Sequence, residues 1–312
     1  MPLRERQLIE RVRRMAAAAK SIGRHSGMVR GMGDDCAVLR LPAGYDSLVT
    51  TDFTIEGVHF RREWQSAESV GHRSLARGLS DIAAMGGEPV AAFLSLGVSA
   101  RVDQKWVDGF VRGFLRLARA HATQLAGGDV ASSPDVVVAD VMVLGKVRRG
   151  RAILRSGARP GDKLYVTGKL GAAGALLERL HRGARVPPDH RSLLPKPRIA
   201  VGRALVGLAS ACIDLSDGLS TDLMHICAES GVGAVVDADR IPRADGATLE
   251  HALHGGDDYE LLFSARERIP ARIAGVPLRH IGDIVKGSAV HISHGDEVEV
   301  LEPRGWEHFA KG

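Results

Sequence analysis

The residues with the most chemistry to offer are aspartates set at turns beside glycine or small residues. They are Asp34 and Asp35 in GMGDDCAVL, Asp52 in VTTDFTIEGVHF, Asp81 in LSDIAAMGG, Asp129 in LAGGDV, Asp214 and Asp217 in IDLSDG, and Asp257 and Asp258 in HGGDDYELLF. One Asp-Gly pair is ordinary turn chemistry. Here the carboxylates end strongly apolar runs such as SLVTTD, AIDLSD and QLAGGD. Carboxylates gathered at the edge of a core repel one another and rise in pKa unless a cation compensates. Nearly all of these acids are Asp rather than Glu, with Thr50, Thr51 and Ser216 alongside. Short, rigid oxygen ligands suit Mg²⁺, which takes one or two carboxylates per ion and completes its shell with water and substrate phosphates. The 13 histidines show neither HExxH nor a paired helical spacing, so no ordinary zinc site is expected. His59 is retained as a candidate because it follows Asp52 on the same face of a loop.

The usual phosphate-binding loops are missing. Gly168-Lys169 in VTGKLGAAG lacks the Ser or Thr and the spacing of a Walker A loop, and GMGDDC has Cys36 where a third glycine of GxGxxG would fall. A Mg-phosphate enzyme of this sequence needs another architecture. Three cysteines, Cys36, Cys212 and Cys227, form neither a CxxC pair nor an even set. Each has apolar neighbours, and they read as buried free thiols in a reducing, cytoplasmic setting.

The elements that must position these acids alternate between strand and helix, which predicts an α/β (α+β) fold. At 312 residues, 45% hydrophobic and 25% charged, the chain has ample length for two globular cores. Leu8, Ile9, Val12, Met15 and Ala19 give the N-terminal segment an amphipathic helical face; its Glu5 and Glu10 and the lack of an apolar core argue against a signal peptide. Ser47 to Thr51 predicts a strand, Ser66 caps a helix running to Met85, and Val90 to Val98 predicts a second strand. Trp106, Val107, Phe110, Val111, Phe114, Leu117, Ala118 and His121 recur at helical spacing. Asp135 to Val147 reads as a buried strand, and the basic, turn-rich RRGRAILRSGARPGD marks a boundary. Beyond it come a strand at Lys163 to Thr167, helices at Leu170 to His181 and Leu219 to Ala228, and short strands at Ile213 to Leu215 and Ala234 to Val236. The expected domains are 1–148 and 149–312. No apolar run reaches the roughly 18 residues a membrane span requires.

The runs GDDCAVL, TTDFTIEGVHF, LSDIAAMGGEP, GGDV, RSGARPGD, IDLSDGLSTDL, GGDDYELLF and GWEHF, in this order from residue 33 to 309, resemble thiamine-monophosphate kinases, of the superfamily that includes aminoimidazole ribonucleotide synthetase. The resemblance implies ATP-dependent phosphorylation of thiamine monophosphate to thiamine diphosphate with several Mg²⁺ ions. It also implies an N-terminal domain that binds ATP and Mg²⁺ and pairs into a β-barrel homodimer, and a C-terminal α/β domain that completes the active site. Carried over residue by residue, Asp35, Thr50, Thr51, Asp52, Asp81, Asp129, Asp214 and Asp217 are the metal ligands. Gly128, Asp129, Arg155 and Ser216 lie on ATP, and His59, Asp257 and Trp306 on the thiamine phosphate. Asp257 departs from the family pattern, which has Glu there, so Asp258 is a candidate to share its role.

Phosphoryl transfer between two anions depends on positioning and charge neutralisation. A phosphate acceptor with a second pKa of about 6 is already a nucleophile at neutral pH and needs no general base. Direct in-line transfer without a phosphoenzyme is therefore expected. Selenophosphate synthetases and hydrogenase-maturation dehydratases are the competing relatives, each expected to carry a reactive terminal cysteine that this sequence lacks. The other competitor, a nucleic-acid module built on RVRR (Arg11 to Arg14) and RRGR (Arg148 to Arg151), draws on a net charge of +5 but finds only 4% aromatic residues to stack bases. Neither nucleic acid nor a membrane is an expected partner.

Overall fold

The run ERQLIERVRRMAAA places apolar residues one helical turn apart and folds as α1 (Glu5–Ala18), burying Leu8, Val12 and Ala16. Ile9, expected on that face, sits one residue round the helix and is exposed. The structure is a computed structural model and describes residues 5–18, 28–30, 32, 36–187 and 190–307. It divides into two units. One comprises Met1–Ile82, Gly87–Gly150 and Arg185–Pro195; the other comprises Ala83–Gly86, Arg151–Ala184 and Lys196–Gly312.

In the first unit α1 is followed by β1 (Met28–Arg30), β2 (Val38–Leu39), β3 (Tyr45–Ile55), α2 (Ala67–Ala84), β4 (Glu88–Ser99), α3 (Gln104–Ala120), β5 (Gln124–Ser133) and β6 (Val138–Arg148). Four of the strands form a sheet in the order β3-β6-β4-β5, with β4 and β5 parallel and joined through α3. The predicted periodicity of α3 is realised: Phe110 and Phe114 are fully buried, and Asp103 caps the helix by accepting the Trp106 N–H. The paired guanidinium of Arg11 and carboxylate of Asp108 tie α1 to α3. LAGGDV, whose glycines read as a turn, is part of the continuous strand β5. Cys36 is exposed rather than buried, because Ala37, Leu39 and Leu41 alternate inward onto Val90, Ala91 and Ala126 and leave Cys36 pointing out.

The second unit contains β7 (Lys163–Thr167), α4 (Ala172–His181), α5 (Ile199–Leu205), β8 (Ala209–Asp214), α6 (Leu219–Ser230), β9 (Gly233–Asp237), α7 (Leu249–His254), β10 (Leu261–Ala265), β11 (Arg272–Ile273), β12 (Val276–Val285), β13 (Val290–His294) and β14 (Glu297–Val300). Its sheet runs β14-β13-β9-β12-β7-β10-β8 and is antiparallel except at β13/β9, with β11 paired to β12 at the side. Leu164, Val166, Ile213, Leu262 and Ile284 from the strands meet Leu219, Leu223, Ile226 and Cys227 of α6 in one core. On the opposite face Tyr165 stacks on Phe263 with ring centroids 5.4 Å apart. Cys212 and Cys227 are free and buried. No helix among the described residues is long and apolar enough to cross a membrane.

Candidate active site

Alternation along β3 sorts its hydroxyls and acid. Thr50, Asp52 and Thr54 lean to the face under α2, whereas Val49, Thr51 and Phe53 are exposed on the other. The helix approaches closely at Gly78, where a Cβ would lie 2.7 Å from Val143 Cγ2 and 3.4 Å from Thr50 Cγ2. That approach sets Asp81 of α2 against β3, and the Thr50 hydroxyl donates to Asp81 Oδ2. Arg77, one helical turn earlier, places its Nε 3.6 Å from Asp52 Oδ1. Burial first, then the Asp81 charge, push the Asp52 carboxyl up to about 7 against the pull of Arg77, and Asp140 adds to the rise. Asp52 Oδ2, Thr54 Oγ1 and Ser80 Oγ are buried with no hydrogen-bond partner. Folded proteins leave few such atoms. Two carboxylates and a hydroxyl on rigid elements, one carboxylate oxygen orphaned, fit a hard cation that keeps other positions for phosphate and water.

Asp140 and Asp129 belong to the other face of this sheet. Strand register sets Phe53, Asp140, Ser95 and Asp129 in one row across the sheet. Asp129 is exposed, and its Oδ1 accepts the Val130 N–H at 2.8 Å. Gly128 before it has φ +147, and a Cβ there would meet the Leu94 carbonyl oxygen at 1.9 Å, so only glycine fits. His59 Nδ1 accepts the Ile55 N–H at 3.1 Å, which puts the proton of the neutral ring on Nε2. The ring borders a small cavity lined by Thr54, Phe60, Gln65, Val70, Arg73 and Arg77. Asp34 and Asp35 lie outside the described residues. Among the described residues no three His, Cys, Asp or Glu side chains stand together as a metal-binding group.

In the second unit three loops are pinned to one another by the main chain. Asp257 N–H donates to the Ser216 carbonyl at 2.8 Å, Tyr259 N–H to the Leu215 carbonyl at 2.8 Å, and Trp306 N–H to the Asp217 carbonyl at 3.0 Å. Asp214 at the end of β8, Ser216, Asp217, Asp257 and Trp306 thus come together, with the Trp306 side chain 51% exposed. Asp222 holds the loop from below: its Oδ2 accepts the N–H groups of Ser216, Asp217 and Gly218, each at 3.1 Å. Burial, with the Asp217 charge second, pushes Asp222 up to about 7. Asp257 and Tyr259 both occupy the left-handed region, φ 64 and 50, and the Tyr259 hydroxyl donates to Asp257 Oδ1 at 2.5 Å. Strain of this kind in non-glycine residues is held in place by its surroundings and clusters at working sites. Asp258, a candidate to share the role of Asp257, instead accepts the Gly171 N–H at 2.6 Å inside the protein, at the start of α4. It caps that helix, its other oxygen accepting the Ala173 N–H at 3.5 Å. The exposed Arg155 has its main chain anchored by the Ser230 hydroxyl at 3.2 Å.

Residues 33–147 match the model of the AIR synthase related protein N-terminal domain, and residues 159–293 that of the C-terminal domain. The thiamine-monophosphate kinase of Salmonella typhimurium is 37% identical over 303 residues, 90% of this chain and 92% of that protein. The chain belongs to the thiamine-monophosphate kinase family. Among solved members, the enzyme from Stenotrophomonas maltophilia K279a superposes with a TM-score of 0.79 at 36% identity, covering 94% of this chain and 98% of its own. The complex of AaThiL with AMPPCP and TMP superposes with a TM-score of 0.77 at 28% identity, covering 98% and 99%.

Within this thiamine-monophosphate kinase fold three groups, Arg77 in the first unit and Asp222 and Tyr259 in the second, escape a reading of acids by their glycine neighbours. Asp222 lies inside α6, Tyr259 follows the acidic turn, and Arg77 belongs to a helix read only for its bounds, Ser66 to Met85. The one sequence signal for Arg77 is its spacing of four from Asp81, which puts both on one side of a helix.

Proposed function

We propose that the chain phosphorylates thiamine monophosphate to thiamine diphosphate with ATP, by direct in-line transfer assisted by Mg²⁺. The observation that carries the metal part of this reading is the Asp52–Asp81 pair, with the Thr50 hydroxyl on Asp81 and an orphaned Asp52 oxygen. The nucleotide and acceptor follow from the family and from the AaThiL complex with AMPPCP and TMP. Asp35, Thr50, Thr51, Asp52, Asp81 and Asp129 in domain 1–148, and Asp214 and Asp217 in domain 149–312, are the proposed magnesium ligands. Gly128, Asp129, Arg155 and Ser216 bind ATP; His59, Asp257 and Trp306 bind the thiamine phosphate.

Magnesium held by these groups would neutralise the phosphates of donor and acceptor, whose mutual repulsion is the main obstacle to in-line approach. The chain's own residues do the rest. The Asp222 carboxylate fixes the loop that presents Ser216 and Asp217. The Tyr259 hydroxyl orients Asp257, which compensates for a side chain one methylene shorter than the family's usual Glu. Trp306, half exposed, offers a flat face for the cationic rings of the acceptor. His59 Nε2–H is a donor for an acceptor oxygen. No general base is assigned, because the acceptor phosphate is a dianion at neutral pH.

The exposed face of the first unit's sheet, with Val49 61% and Phe53 57% exposed, supports pairing of two copies into a β-barrel dimer. The decisive assay incubates the purified protein with ATP, Mg²⁺ and thiamine monophosphate, with thiamine as control acceptor. Formation of thiamine diphosphate that stops on chelation is the expected result; phosphorylation of thiamine alone contradicts it. Inversion at an isotopically chiral γ-phosphate is expected, and retention would rule out direct transfer.

A further inference from the structure

We propose that Arg77 is the resident counter-cation of the Asp52–Asp81 pair, which a divalent ion must displace, and that the released guanidinium moves onto acceptors in the cavity beside His59. The inference rests on the reading of Asp52 and Asp81 as metal ligands. Its geometry is independent of that reading.

Arg77 and Asp81 are four residues apart on α2 and so share a helix face. Asp81 points to Thr50, and Arg77 reaches Asp52 two residues further along the same face of β3, at 3.6 Å. The Arg77 and Asp52 side chains are 18% and 23% exposed, so their attraction is only partly screened. A fixed positive charge therefore already lies against Asp52 Oδ1, the neighbour of the orphaned Oδ2 that a metal would use. A guanidinium held at Oδ1 and a metal on Oδ2 of the same carboxylate repel at close range, so the metal drives the guanidinium off.

The cavity supplies the second position. Its lining includes Arg77 itself, Thr54, Gln65 and His59. Of these lining residues, Thr54 and Gln65 have side-chain oxygens, Oγ1 and Oε1, that are buried without a hydrogen-bond partner. Both can accept, and a guanidinium with five donors in a planar fork is suited to satisfy them. Arg73, also in the lining, is held elsewhere by its bond to the Ser192 carbonyl at 3.2 Å. Arg77 thus has two sets of acceptors, one used in the metal-free protein and one left open. Because His59 borders the same cavity, the second position places the charge next to the proposed acceptor-phosphate contact.

The test uses nucleotide-free full-length protein, with Mn²⁺ binding followed by electron paramagnetic resonance and melting temperature measured with and without Mg²⁺. Arg77→Met is expected to bind Mn²⁺ about five- to tenfold more tightly than wild type, the scale of one partly screened ion pair. Its metal-free melting temperature is expected to fall and its Mg²⁺-induced rise to grow. Arg77→Gln, also neutral but polar, should behave alike, so the result does not depend on how Met packs. Arg77→Lys should return the affinity towards wild type. Equal or weaker Mn²⁺ binding in both neutral variants, with wild type binding normally, would overturn the role of Arg77 alone. Absence of binding by wild type would overturn the Asp52–Asp81 metal reading and the inference with it.

Discussion

Asp258 accepts a main-chain N–H from inside the protein, and its burial has a measurable consequence. Its carboxyl is raised from 3.8 to about 7, chiefly by desolvation, against the pull of the Gly171 N–H. Between those values the folded state holds a proton that the unfolded state has released, so stability falls as pH rises. The contribution is complete below the unfolded value and is lost as pH passes through about 7. Asp258→Asn carries no such charge. The melting temperature of wild type minus that of the variant is therefore expected to decline from pH 4 to pH 7, and a flat difference would refute the buried cap. Asp52 gives the functional counterpart. Asp52→Asn should lower Mg²⁺-dependent turnover ~100-fold or more, the cost of removing one group that stabilises the transition state. Its melting temperature in chelator should not drop, because a raised, repelled carboxylate has been replaced by a neutral amide. Wild-type turnover in this variant would defeat the metal assignment.

Helix α3 shows what holds the site's scaffold. Phe110 and Phe114 are 0% exposed, and Trp106 stacks on Phe110 and on Phe60, the neighbour of His59, with ring centroids 5.7 and 6.2 Å apart. Phe114→Ala should cost about 3–5 kcal/mol, the usual price of emptying a buried aromatic site, measurable as a shift in urea midpoint. The segment ahead of Trp306 is fixed differently. Arg304 reaches Glu250 at 3.1 Å and His254 Nε2 at 2.8 Å, both on α7, while its N–H donates to Ser220 at 3.4 Å. This strap, with the Trp306 N–H on the Asp217 carbonyl, sets where the indole stands. Trp306→Ala is expected to raise KM for thiamine monophosphate up to ~10-fold, as loss of a cation–π contact would, and to leave KM for ATP unchanged. An equal change in both constants would place the indole elsewhere.

Among the described residues, part of one face of the first unit's sheet is exposed. Val49, Thr51 and Phe53 alternate outward along β3 and are exposed, whereas Leu144 of β6 and Phe93 of β4, further along the same face, pack with Met28, Ala37, Leu39 and Leu41. Water against this much apolar surface is unfavourable, and a second copy is the occupant the proposed barrel requires. Phe53→Asp combined with Val49→Asp should convert a dimer to a monomer in sedimentation equilibrium. A wild-type protein that sediments as a monomer, or a dimer unaffected by both charges, would exclude pairing through this face.

Much of the fold was legible because it depends on local pattern. The spacing of Val107, Phe110, Val111 and Phe114 was enough to predict α3, and β-branched runs foretold β3, β6 and β7. LAGGDV was misread because its glycines, locally turn-like, serve instead to let β5 pass close to the Leu94 carbonyl. Cys36 was misplaced because burial depends on which way a strand-like segment alternates, and only the packing of Ala37 and Leu39 decides that. For the chemistry, the sequence by itself determined which residue types are present and, through eight ordered runs, the family. It could not say that Thr51 turns from Asp52 to the other face, that Asp258 is a buried cap, or that Asp222 gathers three N–H groups. Nor could it bring Arg77 to Asp52, because they lie on different elements and their charges interact only at the distance that the close packing of α2 on β3 imposes.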